Sequence, residues 1–106
     1  KGGDKDFFVA KEYFKLVADQ GDKEAQYNYA CMCYEGKGGN KDFFTARKYF
    51  KLAADQGDKD AQNHYACMCY EGEGGDKDLF AAKKYFKLSA DQGDVEANIK
   101  YEKLCK

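Results

Sequence analysis

The sequence KGGNKDFFTARKYFKLAADQGDKDAQNHYACMCYEG occupies residues 37–72, and it decides the fold because the chain repeats it. Residues 1–36 differ from it at eight of 36 positions, and residues 73–106 follow the same pattern with two residues fewer. Self-similarity at a fixed period of this length is typical of helical repeat proteins. We therefore predict a single repeat domain of three units, 1–36, 37–72 and 73–106.

The first half of each unit predicts an amphipathic helix, called the B helix below. In the first unit, apolar residues recur three or four positions apart: Phe7, Ala10, Phe14 and Val17. Asp6 suits the N-cap and Gly21 suits a left-handed residue after the helix, so we predict a helix from Asp6 to Ala18. Phe8 and Leu16 lie off this stripe. A helix that is apolar on more than one side is usually covered by neighbours on both.

The second half of each unit predicts another helix, called the A helix. Asp22 suits its N-cap and Gly36 ends it. Its apolar residues again fall at helical spacing: Ala25, Tyr29, Met32 and Cys33. The period-two alternation that indicates strands is missing, although nine Tyr and eight Phe are present. These patterns predict an all-α fold, an α-solenoid of three helix-turn-helix repeats with six antiparallel helices in the order B-A-B-A-B-A.

Composition narrows the function classes. The chain has 18 basic and 19 acidic residues and a net charge of −1, so no overall field attracts nucleic acid or an anionic lipid surface. No apolar run approaches the ~20 residues that span a bilayer. We therefore expect neither nucleic-acid binding nor membrane insertion. Five cysteines cannot form a closed set of disulfides, and no apolar leader opens the chain, so we expect a reduced, cytoplasmic protein.

The cysteines and the single histidine do not predict a chemical site. Cys31 and Cys33 lie two residues apart on one helix, so their thiols point in different directions and cannot share an ion. We expect the stripe cysteines to be buried in the core, namely Cys33, Cys69 and Cys105. Cys31 and Cys67 are open to two interpretations, packing or a reactive role. His64 has polar counterparts in the other units, so we expect it on the solvated surface. No metal, cofactor or catalytic residue is predicted.

The A-helix residues off the apolar stripe share one continuous helical face, which usually lines the concave side of an α-solenoid. We predict that this face binds a protein or peptide partner. Its members are Glu24, Tyr27, Cys31, Tyr34 and Glu35, then Asp60, Asn63, Cys67, Tyr70 and Glu71, then Glu96, Ile99, Lys103 and Lys106. Exposed tyrosines make good interface anchors because they are apolar with a polar tip. The other interpretation is that Tyr34 and Tyr70 pack on neighbouring units.

The two ends of the array differ from its middle. No A helix precedes the first B helix, so we expect an uncovered apolar face there that supports self-association or contact with another subunit. In the last A helix, charged residues replace small or apolar ones: Glu102, Lys103 and Lys106 stand where unit 2 has Ala66, Cys67 and Tyr70. This change is what a capping repeat requires. We therefore expect the third unit to cap the array and Lys106 to lie near a true C-terminus.

The repeated spacing resembles the Sel1-like repeat family. The residues that carry the resemblance read Ala25-x3-Tyr29-Ala30-x2-Cys33-x2-Gly36-x-Gly38-x3-Asp42-x3-Ala46-x2-Tyr49-Phe50-x2-Ala53-Ala54-x2-Gly57, and the next unit repeats them. Three positions depart from the usual pattern: Tyr29 stands in place of Leu, Cys33 in place of Tyr, and Thr45 in place of the usual Lys of the B helix. The related tetratricopeptide repeat is the second choice. The resemblance implies a tetratricopeptide-like, right-handed superhelix.

The resemblance also implies a function. Arrays of this family resemble scaffolds, so we expect a non-enzymatic protein-interaction scaffold or adaptor. The alternative is a structural subunit of a larger assembly or filament. Some secreted bacterial members are cysteine-rich, join the two helices of each unit by a disulfide and have been linked to β-lactam binding. Their second cysteine would fall at residues 18–21, where this chain has none, so a small-molecule binder or hydrolase of that kind is the weakest expectation.

Overall fold

A computed structural model describes residues 2–106, with side chains from Asp6 onward. Its six α-helices follow one another without a strand in that range: α1 Gly2–Asp19, α2 Lys23–Glu35, α3 Phe43–Asp55, α4 Lys59–Glu71, α5 Leu79–Asp91 and α6 Val95–Leu104. Each helix packs against the next one in the chain. The stack is elongated, with extents of 48 × 23 × 20 Å. The all-α solenoid is confirmed, with α1, α3 and α5 as B helices and α2, α4 and α6 as A helices.

Aspartates begin the helices as the sequence predicts. The three A helices are capped by side chains that accept a hydrogen bond from the backbone N–H three residues on: Asp22, Asp58 and Asp94. Asp42 and Asp78 cap α3 and α5 in the same way. Gly21 after α1 has φ of 98°, which is the left-handed conformation expected there.

The predicted start of the first helix is wrong. We expected it to begin after an Asp6 cap, but α1 runs from Gly2 to Asp19 and contains Asp6. In the next unit, the equivalent cap Asp42 donates its backbone N–H to Cys33 O at 2.8 Å. The second glycine of that loop, Gly38, lies so close to the α1 backbone that a Cβ would overlap the Phe7 carbonyl. Residues 2–6 have no preceding A helix in the structure to hold them in such a loop.

Buried tyrosine pairs join each A helix to the following B helix. Tyr29 packs edge-on against Tyr49 with ring centroids 4.8 Å apart, and Tyr65 packs on Tyr85 in the same way. The hydroxyl of Tyr49 donates to Asp19 on the preceding B helix at 2.6 Å. Each unit is therefore connected to the one before it through both of that unit's helices.

Cysteines on the apolar stripe follow the prediction only where a B helix comes next. Cys33 and Cys69 are buried, with 1% and 0% exposure. Cys105 is exposed, so the prediction that it lies in the core is wrong. It directly follows α6, and no helix packs on the far side of α6 in the part of the chain that the structure describes.

A row of glutamines connects the turns between the two helices of successive units. Gln56 Nε2 donates both to Gly21 O at 3.0 Å and to Gln26 Oε1 at 2.8 Å. Gln92 repeats this one unit later, donating to Gly57 O and Gln62 Oε1 at 2.9 Å each. We call these contacts the glutamine ladder. They fix the spacing of the connectors along one edge of the stack.

The outer side of the B helices remains apolar and open. On α1, Tyr13 is 61% exposed and Leu16 is 65% exposed, as expected for a B helix with no A helix before it. Phe44 and Phe80, the counterparts of Phe8, are 73% and 83% exposed. The expectation that neighbours cover this position is therefore wrong, because the A helices pack on the sides of each B helix and leave its outer face free.

Candidate protein-binding face

The predicted face of the A helices borders the core, with Tyr27, Cys31, Tyr34 and Cys67 packing against its edge. Every predicted member is exposed or half-buried. The apolar stripe of α2 lies on the other side and is buried, comprising Ala25, Tyr29, Ala30, Met32 and Cys33. The helical spacing of the sequence therefore separates the two sides of each A helix correctly. We call this solvent-facing surface of α2, α4 and α6 the A-helix face.

Side chains on neighbouring A helices touch one another, so the A-helix face is continuous. The rings of Tyr27 on α2 and His64 on α4 lie 5.8 Å apart. Lys100 on α6 places its Nζ 3.5 Å from the Sγ of Cys67 on α4. A partner that crosses this face would meet all three units.

His64 is not the solvated residue that the sequence predicts. It is half-buried and stacks on Phe50 of α3, with ring centroids 4.8 Å apart and an interplanar angle of 8°. Burial lowers the pKa of His64 below its usual range because it disfavours the charged ring, although neighbouring acids oppose this shift. The prediction was wrong because it relied on the polar counterparts of His64 in the other units, Asn28 and Lys100. The sequence feature that could have indicated burial is the Phe that each unit carries beneath this position. In the third unit, Lys100 Nζ likewise lies 5.5 Å from the centroid of the Phe86 ring.

The two tyrosines near the ends of the first two A helices have different environments. Tyr34 stacks on Phe43 with centroids 4.7 Å apart, and its hydroxyl donates to the Glu73 carboxylate at 3.1 Å. Tyr70 is 48% exposed. Leu79 replaces Phe43 in the next unit and offers no ring for stacking. The interpretation that these tyrosines pack on a neighbouring unit thus holds for Tyr34, and the interpretation that they are exposed holds for Tyr70.

Cys31 and Cys67 are half-buried rather than open to solvent. Burial raises the pKa of both thiols above the ordinary value; Tyr27 opposes the shift at Cys31, and Lys100 opposes it at Cys67. A raised pKa disfavours the thiolate, which is the nucleophilic form, and this argues against a reactive role. Among the residues described, no group of three His, Cys, Asp or Glu side chains could hold a metal ion.

A family model of the Sel1 repeat matches residues 1–22, 23–58 and 59–94. The chain belongs to the Sel1 repeat family. The second and third matched segments of this Sel1-repeat chain have the 36-residue period of the sequence and each begins at an A helix, whereas the first covers α1 alone. Members of the family commonly serve as protein-interaction scaffolds and are generally non-catalytic. No helix in the part that the structure describes is long and apolar enough to cross a membrane.

Solved structures of other proteins share the fold of this Sel1-repeat chain. A protective antigen of uropathogenic Escherichia coli strains with an SLR fold is 32% identical, with a TM-score of 0.79, over 82% of this chain and 19% of that one. A Sel1 repeat protein from Oxalobacter formigenes is 26% identical, with a TM-score of 0.85, over 89% of this chain and 39% of that one.

Helicobacter pylori cysteine rich protein B is 22% identical, with a TM-score of 0.76, over 82% of this chain and 65% of its own. At that identity the likeness concerns the fold alone. The chain therefore spans less than two thirds of the length of each of these three proteins. No curated protein matches its sequence.

Proposed function

We propose that this Sel1-repeat chain is a non-enzymatic scaffold that binds a protein or peptide partner across its A-helix face. The observation that carries the proposal is the continuous row of incompletely covered aromatic side chains there: Tyr27, Tyr34, His64 and Tyr70. Such rings bury a large apolar area at a small cost in side-chain entropy, and they dominate protein interfaces.

The charges on the A-helix face indicate how a partner would be oriented. Exposed carboxylates line the α2 and α4 parts of the face: Glu24, Glu35, Asp60 and Glu71. The start of α6 keeps an exposed carboxylate, Glu96, and the later part of its face carries the lysines Lys100 and Lys103. This gradient favours a partner with basic residues near α2 and an acidic group near α6, because opposite charges steer association and fix register.

A peptide-display selection on the purified chain, followed by NMR shift mapping of the selected peptides, tests the proposal. We expect the shifts to fall on α2, α4 and α6. The double variant Tyr34→Ala with Tyr70→Ala should weaken binding by roughly tenfold or more, as for interface hot spots. The matched control is Phe44→Ala with Phe80→Ala, which removes two exposed rings from the B helices. Loss of binding in the control alone would move the site to the B-helix side and contradict the proposal.

A second candidate function, a structural subunit of a larger assembly, is favoured by the apolar side of α1. Phe8, Tyr13 and Leu16 are each more than half exposed, and contiguous exposed apolar surface marks interaction sites. A light-scattering series without added partner should then show mass rising with concentration. Leu16→Glu should abolish that rise, and the control Phe80→Glu should not. We place either function in the reducing cytoplasm on the basis of the odd number of cysteines.

A further inference from the structure

A cavity of about 270 Å³ opens on the A-helix face between α4, α5 and α6. It is lined by Cys67, Tyr70 and Glu71 from α4, Phe86 from α5, and Lys100, Lys103 and Leu104 from α6. Its volume lies just below the range of about 300–1,000 Å³ that suits small-molecule ligands. A single amino-acid residue is therefore a better match in size than a cofactor.

The corresponding place in the preceding unit contains aromatic rings instead. There His64 lies flat on Phe50, and Tyr27 packs against both of them with centroids 5.8 Å away. One unit later, Lys100 takes the place of His64 and Asn63 takes the place of Tyr27. Two rings are thus lost around Phe86, the counterpart of Phe50. Phe86 and Lys100 line the cavity, and Asn63 does not.

The cavity is lined by two lysines that make no ion pair with any side chain from Asp6 onward. Lys100 is half-buried, and its Nζ contacts the Cys67 thiol and the Phe86 ring. Neither Lys100 nor Lys103 has a carboxylate oxygen within 4 Å among the residues that the structure describes. Glu71 is the one acidic residue of the lining, so the lysines outnumber it. A half-buried ammonium is strongly stabilised by a charged acceptor.

We propose that this cavity binds the C-terminal residue of a partner peptide. The α-carboxylate would lie between Lys100 and Lys103, and an apolar side chain would pack on Phe86 and Leu104. The inference rests on the proposed function and names the chemistry of the partner at the α6 end of the A-helix face. A chain end fits because it carries a carboxylate and an apolar side chain on the same Cα. An internal acidic side chain would leave the apolar floor largely unfilled.

The test titrates the full chain with three short peptides while backbone amide shifts are followed by NMR. The first is acetyl-Gly-Ser-Leu with a free C-terminus, the second is the same peptide with a C-terminal amide, and the third is acetyl-Gly-Glu-Gly with a C-terminal amide. For so small a ligand we expect a Kd on the order of 1 mM for the first peptide. The second and third should bind at least tenfold more weakly, and the shifts should centre on residues 100–104.

Variants then assign the binding to the cavity. Lys100→Gln with Lys103→Gln should weaken the first peptide by roughly tenfold. The control Lys23→Gln with Lys59→Gln removes the same charge from exposed positions and should leave its Kd unchanged. Glu71→Gln should strengthen binding about twofold to fivefold because it removes the one repulsive charge.

A second pair of substitutions restores around Phe86 the two rings that the preceding unit has around Phe50 and removes the Lys100 ammonium. Asn63→Tyr with Lys100→His should abolish binding of the first peptide while circular dichroism shows an unchanged helical fold. Equal binding of the acid and amide forms would show that the α-carboxylate is not recognised and would overturn the proposal. Tight binding of the Glu peptide would show that the cavity recognises an acidic side chain and not a chain end, which would also overturn it. If all three peptides fail while displayed peptides still bind α2, α4 and α6, the cavity inference is wrong and the scaffold function stands. If the first peptide binds in the cavity but no displayed peptide shifts the amides of α2 and α4, the cavity inference stands and the scaffold function is wrong.

Discussion

Helices α1 and α3 have nearly the same sequence and very different surroundings. From residue 5 to residue 19 the first reads KDFFVAKEYFKLVAD, and the second reads KDFFTARKYFKLAAD from residue 41 to residue 55. Tyr13 in α1 is 61% exposed, whereas Tyr49 in α3 is 6% exposed. The difference comes from what precedes each helix, because α2 covers Tyr49 and Asp19 accepts its hydroxyl hydrogen bond. In this array, burial is a property of the neighbouring unit as much as of the sequence.

The largest test of this comparison removes the tyrosine ring from each helix. Tyr49→Ala should lower the free energy of unfolding by about 3–5 kcal/mol, as for other buried aromatic residues. Tyr13→Ala should lower it by less than about 0.5 kcal/mol because the ring is already largely solvated. Urea unfolding followed by circular dichroism measures both. Equal losses would show that α1 is covered in solution.

The next test concerns the glycine-containing loops that precede the B helices of units 2 and 3 and have no equivalent before α1. Gly74 has φ of 73°, and a Cβ there would overlap the Phe43 carbonyl of the preceding B helix. Gly57 has φ of 96° with no atom within 4 Å of such a Cβ. Gly57→Ala should therefore cost about 1 kcal/mol from backbone strain alone, and Gly74→Ala about 3 kcal/mol. If thermal unfolding gives the two variants the same Tm, the close approach to α3 does not matter.

A smaller effect comes from the tyrosine hydroxyl. Burial opposes ionisation of Asp55, but hydrogen bonds from Lys51 and Tyr85 outweigh it and hold its pKa below its usual range. Tyr85→Phe should cost about 0.5–1 kcal/mol at pH 7, reduced by solvent screening of the exposed carboxylate. Because the folded pKa is depressed, this contribution is present above about pH 4 and is lost as pH falls further. The matched variant Tyr13→Phe should have no effect at any pH, and a gap for Tyr85→Phe that persists unchanged at pH 2.5 would contradict this account.

The smallest effect is a pH dependence at His64. Burial depresses its folded pKa, so its stabilising contribution is present above about pH 6.5 and is lost as pH falls below that value. We expect the wild-type chain to lose stability as pH falls from 7 to 5. His64→Asn introduces the residue of the first unit and should flatten this dependence. Denaturant midpoints at several pH values measure the difference, and parallel curves for the two proteins would refute the assignment.

The sequence predicted what depends on repetition and missed what depends on a neighbour. The period, the caps at Asp22, Asp58 and Asp94, and the division of each A helix into a buried stripe and an incompletely buried face follow from local spacing. The burial predicted for Cys105 and the N-cap predicted at Asp6 were wrong because each residue lies where the structure has no flanking helix of the kind that an internal unit has. His64 was wrong because its burial depends on Phe50, 14 residues earlier in the chain.

The candidate site was predictable only in outline. Helical spacing selected the residues of the A-helix face, including Tyr70 and Lys103. The cavity beside them could not be predicted without knowing that Tyr27 and His64 pack together over Phe50. Only this packing shows that Asn63 and Lys100, their counterparts one unit later, leave Phe86 without two rings. Lys100 was not among the predicted site residues for this reason.

The glutamine ladder has a consequence for protein engineering. Each rung joins Gln56 or Gln92 to the connector one unit earlier, and its two acceptors are a backbone carbonyl and a glutamine of that unit. A duplicate of residues 37–72 inserted after residue 72 would bring its own donor and acceptors in register at both junctions. The chain can therefore be lengthened in steps of one unit, and the A-helix face becomes a surface of adjustable reach.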